Sequence, residues 1–174
     1  MRKEKILSAN HVEQNAMKLH QEMNYLMNPM CLLVHTALFI KDYAKRPQAL
    51  IPLLNTNEGK LAETLQILER NEFLILGSSP FEIREVKPIY PHYGPEHPLM
   101  RLHQQLLKSA LIQRLSQTSE KTKESFFVTF TMDDETFAEV KKKFRAFLQE
   151  VQNLTFDAKH KSVYQMSFDL LKWF

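Results

Sequence analysis

Residues Asn55 to Leu76 read NTNEGKLAETLQILERNEFLIL, and this stretch passes from a polar turn through a helical pattern into an apolar run. Leu61, Leu65 and Leu68 recur at spacings of four and three, which places them on one face of a helix. The Phe-Leu-Ile-Leu run that follows is short and apolar, as is typical of a strand. The stretch therefore predicts a helix that leads directly into a strand.

The neighbouring segments extend this pattern in both directions. Helical periodicity at 8–27 and 30–40 precedes the stretch, and a short helix at 47–55 that contains Pro52 leads into it. After it, Gly-Ser-Ser-Pro at 77–80 separates two apolar runs and predicts a β-hairpin. Helices followed by a hairpin are the element order of a winged helix-turn-helix, which we expect to occupy residues 1–90.

The prolines between residues 88 and 98 predict a non-helical connection, and we place a domain boundary there. Beyond it the pattern predicts a second, small domain at 91–174 with the order helix, strand, helix, strand. Its predicted elements are a helix at 99–116, a strand at 126–132, a helix from about 134 to 154 and a strand at 163–171. The expected fold class is therefore α+β, with a winged-helix domain followed by this helix-strand-helix-strand domain.

The composition excludes several classes of protein. A net charge of +3 is far from the dense positive field typical of nucleic-acid binding proteins. Three glycines leave no phosphate-binding loop, and Cys31, the single cysteine, cannot form an intramolecular disulfide. The most apolar run, at 30–40, is about half of the ~20 residues that a membrane span needs. We expect a soluble cytoplasmic protein without a cofactor and without a membrane partner.

Three segments carry a resemblance to a known family: LHQQLLKSALIQRL at 102–115, FFVTFTMDDETFAEVKKKFRAFLQEV at 126–151 and SVYQMSFDLLKWF at 162–174. Together with the winged-helix stretch they resemble the C-terminal domain of an uncharacterised, multi-copy family of proposed transcriptional regulators of predatory and related bacteria. The terminal segment resembles the Val-Tyr-Gln strand of that family. The resemblance implies a regulatory role, and it brings no catalytic residues.

The helix at 57–71 is the candidate DNA reader. Its outward residues include three acids, Glu58, Glu63 and Glu69, and two bases. Acids repel phosphate, so the charge pattern favours a scaffold or dimerisation role over DNA reading. The residues that would contact DNA in the alternative reading are Asn57, Lys60, Thr64 and Arg70.

Histidine and cysteine suggest two further kinds of site. His92, His97 and His103 lie in and just after the proline-rich connection, and three imidazoles are able to bind zinc or nickel, although their spacing matches no established motif. Cys31 and His35 lie one helical turn apart and would permit a thiolate–imidazole pair. Because their helix is apolar on nearly every side, we expect Cys31 to be an inert core thiol.

The C-terminal domain carries the candidate partner interface. Lys141, Lys142 and Arg145 form a basic run, which reads either as a solvated helix face or as a surface for an acidic partner. Trp173 and Phe174 follow the last predicted strand, and such aromatics fold back or are covered by a partner. We therefore expect a homodimer formed through this domain, and a protein partner.

The sequence as a whole predicts a non-enzymatic regulatory or protein-interaction module related to transcriptional regulators. A sequence-specific DNA-binding regulator is the main alternative, so DNA stays open as a partner. A metal or small-molecule sensor that uses the 92–103 connection is a third hypothesis.

Overall fold

The computed structural model describes residues 18–89, 91, 93–94 and 96–173. These residues divide into two compact units. The first contains residues 18–116 together with 162–173, and the second contains residues 117–161. This division differs from the boundary expected near residue 90, because residues 91–116 and the segment at 162–173 belong to the first unit.

The described chain is mainly helical. Residues 18–26 are helical and are named α1, while the earlier part of the predicted first helix lies outside the described residues. None of the described helices combines the length and apolarity that a membrane span requires. The remaining helices are α2 (Pro29–Ala37), α3 (Lys41–Lys45), α4 (Leu50–Leu53), α5 (Glu58–Arg70), α6 (Met100–Gln117) and α7 (Asp134–Phe156).

Local sequence signals explain where α2 and α4 begin. Asn28 Oδ1 accepts a hydrogen bond from Met30 N at 3.0 Å, and Pro29 occupies the first turn of α2, where it needs no hydrogen-bond donor. A 3-10 turn, Pro47–Ala49, precedes α4. Only four residues of α4 are α-helical, in agreement with the shortening that Pro52 predicts. The short helix α3 was not predicted.

The core of the first unit forms where α2 packs on α5, which contributes its whole apolar face. The hairpin covers one end of this core. The buried residues of the core are Tyr25, Leu26, Cys31, Val34, Ala37, Leu38, Leu50, Leu61, Leu65, Ile67, Leu68, Phe73 and Leu74.

The predicted hairpin is confirmed. Strands β1 (Leu74–Leu76) and β2 (Ile83–Val86) pair antiparallel, with Leu74 opposite Val86 and an irregularity between Ile75 and Leu76. The connecting loop covers 77–82 and is two residues longer than expected. Helices with one small antiparallel sheet agree with the predicted α+β class.

The two predicted C-terminal strands are wrong. Residues 126–132 and 163–171 show no strand pairing within the described part of the chain. Alternation of apolar and polar residues indicates only which side chains share one face of an extended segment. A strand also requires backbone N–H and C=O groups of a neighbouring segment as hydrogen-bond partners. Two predicted helices of this region, observed as α6 and α7, are confirmed.

Candidate functional site

The N-terminal turn of α5 is built by Asn57. Its Oδ1 accepts a hydrogen bond from the backbone N–H of Lys60 at 2.9 Å, which satisfies one of the unpaired donors at the helix start. Asn57 was predicted to contact DNA, and in the structure this oxygen caps the helix.

Thr64 lies on a different face of α5 from the one predicted. Its side chain is 1 % exposed, and its hydroxyl donates to the backbone oxygen of Lys60 at 2.8 Å. This local bond satisfies the hydroxyl, so threonine is accommodated beside the leucine stripe without a further partner. Thr64 is thus part of the buried face, and its prediction as a DNA contact is wrong.

The exposed face of α5 carries mixed charge. Lys60 and Arg70 are exposed, as predicted, and Arg70 Nη2 donates to Gln66 Oε1 at 3.4 Å. The exposed acids on the same helix are Glu58, Glu63 and Glu69. Three carboxylates against two cations make this face net negative.

The hairpin loop adds an acid that the sequence analysis missed. The carboxylate of Glu82 accepts a hydrogen bond from Ser78 N at 2.8 Å, and Gly77 N donates to the backbone oxygen of Glu82 at 2.7 Å. Arg84 Nε lies 4.0 Å from Glu82 Oε1, so the cation nearest the loop faces a carboxylate. The signal was present in the sequence, because an acid close behind a Gly-Ser-Ser turn is placed to accept loop N–H groups.

A cleft of about 470 Å³ opens beside the end of α5. Phe73 and Tyr93 supply its aromatic wall, and Arg70 shares it with Glu22 and Glu72. The side chain of Arg70 is therefore in mixed-charge surroundings. The complete lining is Lys18, Gln21, Glu22, Arg70, Asn71, Glu72, Phe73, Pro91 and Tyr93.

Two of the three predicted metal-binding histidines contact α1. His97 Nδ1 accepts from Leu99 N at 3.3 Å, so Nε2 carries the proton and faces Glu22 Oε2 at 3.5 Å. His103 is buried, and its Nδ1 lies 2.7 Å from the backbone oxygen of Leu26. His92 lies outside the described residues. No group of three possible ligands that suits a metal ion occurs among the residues with described positions.

Cys31 lies in the core and has no exposed surface. Burial raises the pKa of the Cys31 thiol to about 12, and the nearby Glu63 carboxylate acts in the same direction. Burial also lowers the pKa of His35 to about 4. Both groups are therefore neutral near pH 7, which agrees with the prediction of an inert core thiol and argues against a thiolate–imidazole pair.

His35 belongs to an aromatic cluster beneath the cleft. Its ring stacks on Phe73 with centroids 4.6 Å apart, and Tyr25 meets Phe73 edge-on at 5.2 Å. The Tyr25 hydroxyl and His35 Nε2 are buried without a hydrogen-bond partner in the described part of the chain.

The predicted partner residues of the C-terminal region are exposed. Lys142 Nζ lies 3.9 Å from Glu139 Oε2, and Lys141 Nζ lies 5.3 Å from the centroid of the Phe137 ring. Arg145 is exposed on the same helix, and Trp173 is 83 % exposed in the first unit. Phe174 lies outside the described residues.

A cluster of three acids, residues 133–135, lies at the start of α7, and Asp133 caps the helix. Asp133 Oδ1 accepts from Thr136 N at 2.7 Å, and hydrogen bonds to Thr136 lower the pKa of the Asp133 carboxyl. The acid cluster thus supports the first turn of α7.

Comparison with known proteins identifies one family. No curated protein and no solved structure matches the chain. The model of a family described as a domain of unknown function, DUF4423, matches residues 8–172. Because this match covers nearly the whole chain, the protein belongs to the DUF4423 family.

Proposed function

We propose that the chain is a non-enzymatic regulatory module, related to transcriptional regulators, that acts through protein interaction. In this proposal residues up to about 90 form a winged helix that serves as a scaffold, with α5 in the position of a recognition helix. A cytoplasmic location agrees with the single buried thiol. The resemblance of the C-terminal segments to proposed regulators supports the regulatory role.

The observation that carries the proposal is the charge on α5 and its hairpin. The exposed face of α5 has three acids and two bases, and the hairpin loop holds Glu82 next to Arg84. A carboxylate about 4 Å from a phosphate is repelled by ~1 kcal/mol even in water. DNA affinity depends on cations that neutralise phosphates, so this surface is poorly suited to bind the duplex backbone.

Exposed apolar surface gives independent support for protein interaction. In the second unit Phe126 is 81 % exposed and Phe127 is 95 % exposed. Large aromatic side chains that remain this exposed favour contact with a partner that covers them.

A sequence-specific DNA-binding regulator is the second candidate. Lys60 and Arg70 favour it, because both cations are exposed on α5. In that case Lys60 and Arg70 supply the phosphate or base contacts.

DNA titration separates the two candidates. Fluorescence anisotropy of a labelled random duplex is measured at about 50 mM salt, where phosphate attraction is little screened, and again at higher salt. The protein-interaction proposal predicts no binding at either salt concentration. Binding that weakens steeply with salt and is lost in a Lys60→Glu/Arg70→Glu variant would overturn it. The matched control, Lys142→Glu/Arg145→Glu, makes the same charge change on α7 and should then retain binding.

A further inference from the structure

The second unit has no core of its own. None of its described residues, 117–161, is buried. Its helix α7 nevertheless carries an apolar stripe of helical period, which consists of Phe137, Val140, Phe144, Phe147, Val151 and Leu154. Helices in proteins are stabilised mainly by packing of such a stripe, so α7 requires a surface to cover it.

Part of the apolar stripe of α7 is uncovered. Phe147 is 49 % exposed and Leu154 is 76 % exposed, in addition to Phe126 and Phe127. Phe147 and Leu154 lie on the stripe of α7, so the stripe itself presents apolar surface to solvent. Pairing with a second copy would remove this surface from water, which favours association.

The charges beside the stripe are self-complementary. Lys143 and Glu150 are seven residues apart, which is close to two helical turns, so both lie on the same flank of the stripe. In an antiparallel pair of identical helices, the same flank of each helix lies against its equivalent in the other. Lys143 of one helix therefore faces Glu150 of the other when the two-fold axis passes near Phe147.

We propose that α7 pairs antiparallel with α7 of a second copy of this chain, with Phe147 at the two-fold axis and Lys143 opposite Glu150 of the partner. This inference rests on the proposed function, which requires a protein partner, and it identifies that partner as a second copy of the chain. A two-fold interface uses the same patch on both copies, which the symmetric placement of these charges fits. Opposite charges on the rim then set the register of the apolar stripe.

A cysteine at the two-fold axis tests the geometry. The Phe147→Cys variant should form a disulfide-linked dimer under mild oxidation. The native Cys31 is fully buried and contributes no background. The control, Gln149→Cys, lies on the opposite face of α7 and should stay unlinked. A Phe147→Cys protein that does not cross-link, together with a monomeric mass of the wild-type chain by light scattering at tens of micromolar, would overturn the proposal.

A charge exchange tests the register without altering the apolar stripe. Lys143→Glu and Glu150→Lys each place like charges opposite one another at two symmetric positions. Each should raise the dissociation constant of the dimer roughly tenfold, since single surface pairs contribute up to about 1 kcal/mol. The double variant should restore wild-type affinity, and the two single variants should associate with each other when mixed. Failure of both the restoration and the mixed pairing would refute this register.

The two proposals fail in different ways. A monomeric chain that does not bind DNA overturns the dimer and leaves the protein-interaction function with a different partner. Salt-sensitive DNA binding that depends on Lys60 and Arg70 overturns the proposed function and leaves the α7 pairing to be decided by cross-linking.

Discussion

His103 Nδ1 donates a hydrogen bond to the backbone oxygen of Leu26, across a distance of 2.7 Å. A carbonyl only accepts, so Nδ1 of the His103 ring carries a proton. Leu26 is near the end of α1, where carbonyl groups have no partner within the helix, and His103 belongs to α6. One turn earlier on α1, Glu22 faces His97. Two histidines proposed as metal ligands therefore join α1 to the segment at 97–103.

Removal of the His103 side chain should destabilise the first unit. His103→Ala leaves the buried Leu26 carbonyl without this donor, and we expect a loss of about 1–3 kcal/mol in the free energy of unfolding. Urea unfolding followed by circular dichroism measures the change. His160→Ala, at an exposed position, is the matched control and should change stability by less than about 0.5 kcal/mol. Equal stability of His103→Ala and wild type would contradict a structural role of this bond.

His35 should make stability depend on pH. Burial lowers its pKa from 6.5 to about 4, so between these pH values the unfolded chain binds more protons than the folded chain. The stability that the neutral, buried His35 contributes is therefore complete above pH 6.5 and decreases as the pH falls. At pH 5 the free energy of unfolding should be lower by about 2 kcal/mol.

The variant His35→Phe isolates this contribution. Phenylalanine keeps an aromatic ring beside Phe73. It removes the imidazole that titrates, including Nε2, which is buried without a hydrogen-bond partner in the described part of the chain. The loss of stability between pH 7 and pH 5, measured by urea unfolding, should be smaller in the variant than in the wild type. Exposed His160→Phe serves as the control and should leave the pH dependence unchanged. An identical decrease in His35→Phe and wild type would rule out His35 as its source.

The end of α5 contains a strained backbone position. Asn71, the first residue after α5, is not left-handed: its φ is −88° and its Nδ2 donates to the carbonyl of Ile67 at 2.9 Å. The left-handed residue is instead Glu72, with φ of 62°. This conformation costs a residue with a Cβ about 1–2 kcal/mol, and glycine avoids that cost while losing about 0.5–1 kcal/mol of entropy.

Glu72→Gly should therefore raise the free energy of unfolding by roughly 0.5 kcal/mol. Asn71→Gly, the neighbouring control, should lower it because the amide bonds to Ile67 and to the Gln21 carbonyl are lost. Thermal or urea unfolding of the two variants gives the comparison. If Asn71→Gly were stabilising and Glu72→Gly destabilising, the backbone strain would lie at Asn71 and not at Glu72.

Local patterns predicted the elements whose stability is decided within a short segment. The leucine spacing at 61, 65 and 68 identified α5, and a turn between two apolar runs identified the hairpin. Thr64 was misplaced because its polar side chain was read as outward, although its spacing from Leu61 and Leu68 is that of the buried face and its hydroxyl bonds to the carbonyl of Lys60. The strand predicted at 126–132 depended on pairing with a distant segment, and alternation carries no information about that partner.

The contact of His103 was beyond the sequence for a related reason. Leu26 and His103 are 77 residues apart, so the docking of His103 depends on the completed fold. Glu82 differs, because it is only four residues from Ser78 and the Gly-Ser-Ser turn already carried the signal for its contact. For His103, residue type predicted a polar group, and tertiary structure decided which atom it contacts.

The hairpin loop allows a final test that links Gly77 to Glu82. A Cβ at Gly77 would overlap the carboxylate of Glu82, which accepts a hydrogen bond from Ser78 N. Gly77→Ala should displace this carboxylate and lower the free energy of unfolding by roughly 1 kcal/mol. Gly94→Ala is the matched control, since a Cβ there meets no atom within 4 Å in the described structure. It should be close to neutral.

A double-mutant cycle identifies the clash as the cause. Glu82→Ala removes the carboxylate, so Gly77→Ala should cost much less in that background than in the wild type, because contacting residues are not additive. Urea unfolding of the four proteins gives the coupling free energy, expected to be about 0.5–1 kcal/mol. Additive effects would mean that Gly77 and Glu82 act independently. In that case the loop would not depend on the close approach of the carboxylate to residue 77.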